Sequence, residues 1–188
     1  LGNFTTIRAL LNQGFSPMTL RFFVLQAHYR KPLDFTQEAL KSASIGWKGL
    51  NTALLLGKIY SDLLEWNNLE KKPDKDILDV TTFKEFDLFK DSFSNAMDDD
   101  LNTSSALAVL FQIARPLKSL SNRLKRGETV FWKNSLEKNK SYFSWLCLCE
   151  LAETLGLSPE PEFKNNKKRL TNDEIILNQE LPSMEPLL

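Results

Sequence analysis

The chain has one histidine, two cysteines and seven glycines in 188 residues, and no excess of charge of either sign. A single histidine, His28, excludes a histidine-based metal cluster built from this chain alone. The cysteines, Cys147 and Cys149, are two positions apart, which on a helix sets them about 200° from each other. They can neither share a metal nor close an unstrained disulfide, so buried, inert thiols in a reducing compartment are expected. No stretch approaches the ~18 to 20 consecutive apolar residues of a membrane span. Arg8 interrupts the only early apolar run, so no secretory leader is expected. Lys plus Arg (24) equals Asp plus Glu (24), so the total charge does not mark a strongly basic nucleic-acid binder; local patches decide that question. There is no Gly-rich phosphate loop, and no serine or cysteine has a base beside it. No active site is legible.

What is present is helical periodicity, and the expected fold is all-α. Thr6 to Asn12 reads as a short helix ended by Gly14. Ser16-Pro17 is a cap followed by a proline at the first helical position, and it opens a helix to about Tyr29, closed by Pro32. Leu20, Phe23, Val24 and Ala27 share one of its faces. Asp34 or Thr36 caps a long pattern from Thr36 to Trp66, with Glu38 in the first turn and Leu40, Ala43, Trp47, Leu50, Leu54, Gly57, Tyr60 and Leu64 on one stripe. Residues 67–81 are polar, charged and broken by Pro73, the best linker in the chain. Phe83, Phe86, Phe89, Phe93 and Met97 mark a helix over 82–97. Asn102-Thr103 caps the next, which runs to about Lys125 through Pro116, where a kink is expected, and ends at Gly127. The last long helix is expected over 130–155, burying Phe131, Leu136, Phe143, Leu146 and Leu151, with Gly156 at its end. Past Leu157 the chain is Pro-rich and charged: a basic cluster at 164–169, a brief helix at 170–177 and an unstructured end, a flexible tail. The architecture expected is a short helical lead-in and an antiparallel bundle of about four long helices.

Few residues suggest chemistry. His28, with Tyr29, Arg30 and Lys31, ends a helix; it either interacts with that helix C-terminus or belongs to a cationic tip aimed at RNA phosphates. Asp98-Asp99-Asp100 fan around a helix end and cannot all reach one ion, so a role before the next helix start is preferred to a metal site. The phenylalanine stripe is a bundle seam rather than a base-stacking platform. Lys118, Arg123, Lys125 and Arg126, with Lys133, form either a solvated surface or a phosphate-contacting patch.

Four stretches are more specific together than apart: Leu1-Gly2-Asn3-Phe4, Leu20-Arg21-Phe22-Phe23, His28-Tyr29-Arg30 with Pro32-Leu33-Asp34-Phe35, and Met97 to Thr103. They resemble cysteinyl-tRNA synthetase, a class I aminoacyl-tRNA synthetase, over about residues 1–157. The resemblance implies that the chain begins just after the K-M-S-K-S loop. The H-I-G-H motif, the ATP site and the cysteine-selecting zinc of such enzymes would lie upstream of Leu1, so no catalytic residue, metal or cofactor is expected here. It further implies a stem-contact segment (1–35) and a DALR-type helical bundle that orients tRNA (36–157). Where the family continues into a basic helix and an anticodon-reading module, this sequence departs from it; 158–188 is expected to be a tail, with the module either truncated, altered or lost. Gly2 and Asn3 would sit behind the signature loop. Arg21, His28, Arg30, Lys31, Lys118, Arg123, Lys125 and Arg126 are the candidate contacts to tRNA, with packing an equal alternative for Arg21, His28 and Arg30. The implied partners are a cysteine-accepting tRNA and the N-terminal catalytic domain, in a cytoplasmic monomer. A helical protein-interaction module and a non-catalytic remnant are the alternatives from other classes.

Overall fold

The computed structural model describes residues 5–69 and 79–161. Gly2 and Asn3, most of the linker and everything after Pro161, including the expected basic cluster and brief helix, lie outside the described residues. Among those described there are seven helices and no strand: α1 (Ile7–Asn12), α2 (Pro17–Leu25), α3 (Gln37–Leu54), α4 (Leu56–Tyr60), α5 (Val80–Asp98), α6 (Thr103–Lys125) and α7 (Ser135–Thr154). The all-α expectation holds.

Local chemistry sets most starts. Thr6, Ser16, Thr36, Asp79, Asn102 and Asn134 each accept a hydrogen bond from the backbone N–H three residues on, satisfying a donor that the helix leaves unpaired. Gly14, Gly127 and Gly156 follow helix ends with φ of +91°, +78° and +66°, a region open to glycine at little cost.

Long-range contacts give the topology. Lys90 reaches Glu150 and Lys140 reaches Glu85, so α5 and α7 run in the same direction. The four-residue connection 99–102 reverses the chain, which sets α6 against both. Gly46 faces Phe111 and Gly49 faces Lys118, so α3 runs with α6. The four long helices thus form an up-down-up-down bundle. α6 is its hub, packing against α2, α3, α4, α5 and α7. Its buried stripe of Leu107, Leu110, Ile113, Ala114, Leu117, Leu120 and Leu124 joins the core from Phe22, Leu40, Leu50, Leu54, Phe86, Phe93, Phe143 and Leu148. Phe83, Phe89 and Met97 pack at its margin, so the phenylalanine stripe is core. α6 continues without a break across Pro116.

Four expected elements differ. The helix from Ser16 stops at Leu25 rather than Tyr29: the Gln26 and Ala27 N–H groups tighten onto Phe23 and Val24, and the Leu25 carbonyl accepts from Thr103 Oγ1 at 2.8 Å. The long pattern from Thr36 divides at Leu55, where the indole of Trp145 donates to the Leu54 carbonyl (3.0 Å), and regular helix ends at Tyr60. The same indole lies over Gly57, where a Cβ would meet ring atoms at 2.5 to 2.7 Å. The last helix starts at Ser135, not Val130. Asn134 caps it and the Glu137 carboxylate accepts from the Lys133 N–H (2.8 Å), an arrangement that needs non-helical backbone before Ser135. Phe131 is therefore 83% exposed, and Trp132 turns inward instead, donating to the Leu64 carbonyl. Finally, Asp98-Asp99-Asp100 closes α5 rather than opening α6: Asp98 is its last residue, Asp99 its C-cap, and Asn102 caps α6.

After α7 the chain folds back onto α3. Buried Asn51 donates to the Glu160 carbonyl (2.8 Å) and accepts from the Glu160 N–H (3.0 Å), while Trp47 Nε1 donates to the Glu160 carboxylate (3.1 Å). Substituting Gly57→Ala should destabilise the bundle by about 1–3 kcal/mol through overpacking against Trp145. Thermal denaturation checks it, at about 2–4 °C per kcal/mol for a chain of this size; an unchanged midpoint would contradict the packing described.

Candidate nucleic-acid interface

The predicted cations fall into distinct environments. Arg30 and His28 lie in the turn after α2, and both face Asp100 across the corner between α5 and α6. Arg30 Nη2 stands 3.1 Å and His28 Nε2 3.7 Å from its carboxylate. Tyr29 donates to Asp100 at 2.7 Å, and that bond raises the Tyr29 pKa. Asp100 and the following Leu101 have φ of +51° and +55°, a left-handed turn that an acidic residue tolerates better than a bulky one. The triplet thus contributes a carboxylate clamp on residues 28–30, seventy residues away in sequence. Lys31 is exposed beside it, with its backbone N–H on the His28 carbonyl.

Arg123 and Arg126, at the end of α6, both bind Glu128. Arg126 holds one carboxylate oxygen at 2.6–2.8 Å and Arg123 the other at 3.1 Å, which keeps the Glu128 carboxyl below its usual pKa. Lys125 projects near Lys58, Ile59 and Tyr60. Arg21 packs over Gly156 at the end of α7, where a Cβ would meet Arg21 Nη1 at 2.7 Å; a cation there suits the negative end of the helix. Lys118 stands apart from these, across from Gly49 in an open groove between α3 and α6. Surface ion pairs of the Arg30 and Arg123 kind contribute about 0–1 kcal/mol, so they orient side chains without consuming their charge.

A charge segregation goes beyond the predicted set. Between Thr103 and Lys125, α6 carries Arg115, Lys118, Arg123 and Lys125 and no acidic residue at all. Arg115 lies outside the predicted basic cluster near Gly127, although the carboxylate-free run that contains it is visible in the sequence.

No three of the described His, Cys, Asp and Glu residues stand close enough to hold a metal ion. Burial pushes the thiols of Cys147 and Cys149 each up to about 11, so both are protonated and poor nucleophiles near neutrality. No described helix is long and apolar enough to cross a membrane.

Comparison with known proteins gives this helical, basic-faced structure a context. The DALR domain family matches residues 92–158, and the family described as tRNA synthetases class I (C) catalytic domain matches residues 1–45. The chain is 51% identical over 166 residues to the cysteine–tRNA ligase of Prochlorococcus marinus (strain MIT 9303), covering 87% of this chain and 33% of that protein. The corresponding ligase of Synechococcus sp. (strain WH7803) is 53% identical over 163 residues, 85% of this chain and 32% of its own length. That of Prochlorococcus marinus (strain NATL1A) is 47% identical over 182 residues, 95% of this chain and 35% of its own length. These matches define a DALR-bearing segment of a class I tRNA synthetase. Within that class the chain belongs to the cysteine–tRNA ligase family, and it spans about a third of the length of the curated relatives it matches.

The thiols give a pH prediction. Their folded pKa lies above the unfolded value near 9, so the unfolded chain loses these protons first as pH rises. Stability should fall between about pH 9 and 11, and Cys147→Ala with Cys149→Ala should flatten that fall in denaturant titrations. An identical fall in both proteins would rule the thiols out as its source.

Proposed function

We propose that this chain is the tRNA-positioning helical portion of an enzyme that joins cysteine to its tRNA at the expense of ATP. The observation that carries the reading is the 51% identity to a cysteine–tRNA ligase across 87% of the chain. The adenylate-forming and zinc-dependent steps of such an enzyme are assigned to other parts of the protein. In this reading residues 1–35 touch the tRNA stem and the α3–α7 bundle orients the tRNA body, with Gly2 and Asn3 behind the nucleotide-binding loop. In the same reading the protein acts in the cytoplasm as a monomer.

Of the candidate contacts, Lys31 and Lys118 present their cations most directly, and Lys125 projects beside Lys58. Arg30, Arg123 and Arg126 would share their charge between a carboxylate and a phosphate, and Arg21 and His28 would serve mainly to hold the surface in shape. The contacts would position the RNA rather than read its sequence, as cations on phosphate oxygens do.

The chain should bind cysteine-accepting tRNA with an affinity that falls steeply between low and moderate salt, because phosphate contacts release counterions. Fluorescence anisotropy at two salt concentrations measures it. Absence of binding at low salt would refute the reading. By itself the chain should not support cysteine-dependent pyrophosphate exchange.

A further inference from the structure

The α3–α6 groove is a large concavity whose charge is of a single sign. It has a volume of about 1000 Å³, and none of its lining residues is acidic. Phe111, Arg115, Lys118 and Asn122 form one wall, a stripe at i, i+4, i+7 and i+11 along α6. Gly46 and Gly49 lie opposite on α3; their missing side chains leave room for the Phe22 ring and for the Lys118 ammonium, 3.0 Å from where a Gly49 Cβ would be. Ile45, 75% exposed, stands on the rim, with exposed Lys41 and Lys48 one turn to either side of it.

The cations at this groove differ from the ion-paired ones elsewhere on the bundle. Among the described residues they share the lack of a carboxylate partner with other exposed cations such as Lys31 and Lys84. Arg30, Lys90, Arg123, Arg126, Lys138 and Lys140 each meet a carboxylate. The side chains of Lys41, Lys48, Arg115 and Lys118 make no ion pair or hydrogen bond with any described residue. In a chain with zero net charge, four unneutralised cations have been kept around one groove. Their mutual repulsion is unfavourable unless an anion spans them.

We infer that this groove seats the sugar–phosphate backbone of RNA, with Arg115 and Lys118 on phosphates, Lys41 and Lys48 on the opposite shoulder, and Ile45 and Phe111 against the sugars. The inference rests on the proposed tRNA-binding role and assigns it a surface. Arg115 offers the planar fork that grips a phosphate oxygen pair, while Lys118 acts as a point charge. Gln112, Ser119 and Asn122 add neutral donors that suit phosphate or ribose hydroxyls. Such a seat reads backbone shape, so cognate and non-cognate tRNA should use it alike.

The test is tRNA anisotropy across a salt series with the whole 188-residue chain, using side chains exposed enough to change without unfolding it. Arg115→Gln with Lys118→Gln should weaken binding at least tenfold at low salt. It should also flatten the slope of log affinity against log salt by about 2, one unit per lost phosphate contact. Ile45→Glu, which puts a carboxylate on the rim, should weaken binding by a similar factor. Lys84→Gln with Lys90→Gln removes the same charge from α5 and should leave the slope near the wild-type value. If both double variants weaken binding equally, the groove assignment is wrong and only net charge matters, while the tRNA role stands. If the wild type shows no salt-dependent tRNA binding, the role and the groove fall together. Should the Arg115 and Lys118 changes abolish binding of poly-glutamate but leave tRNA binding intact, the groove belongs to an acidic protein segment and the inference is overturned.

Discussion

Burial of α6 on several sides is the constraint from which the remaining arrangement follows. A helix that packs against α2, α3, α4, α5 and α7 has little surface left, and its apolar stripe is correspondingly wide. Apart from buried Ser121, its polar residues are half-buried or exposed, and where they line the α3–α6 groove the cations are Arg115 and Lys118. The helix that organises the core therefore also walls a groove of uniform charge. Core and interface share a backbone, so the spacing of the cations is as rigid as the packing beneath them. Sites built on helices hold their geometry more closely than sites on loops.

Much of the fold was legible because it is local. Ser16-Pro17, Thr36 and Asn102 cap where the sequence places them, and the phenylalanine pattern between 82 and 97 marks a seam wherever the partner lies. Some differences have remote causes, whereas the start of α7 at Ser135 is a local capping arrangement between Lys133 and Glu137. The division at Leu55 depends on an indole ninety residues downstream, and the exposure of Phe131 depends on Trp132 finding the Leu64 carbonyl. Neither partner can be read from the segment it alters. The acidic triplet misled in the same way: its charge pointed to the next helix start, but its backbone turns left-handed and its carboxylate faces the turn after α2.

The candidate site was legible in kind and only partly in place. Counting basic residues found Lys118 and its neighbours, but counting cannot tell a cation with a carboxylate partner from one without. Arg123 and Arg126 fall in the first group and Lys118 in the second. That distinction needs coordinates, because Glu128 is close in sequence to both arginines while nothing in the text marks Arg115 as different from either.

The fastening of Glu160 to Trp47 and Asn51 has a mechanical consequence. Its hydrogen bonds join residues 109 and 113 positions apart, so they tie the outgoing chain to the first long helix and not to α7, which it has just left. Tension applied at Pro161 would load α3 across a lateral joint, rather than peel α7 away turn by turn. A joint strained in shear must give up its bonds together, whereas a peeled one surrenders them singly. The bundle is thus anchored against whatever its downstream continuation pulls on, with the strain delivered to the helix that walls the basic groove.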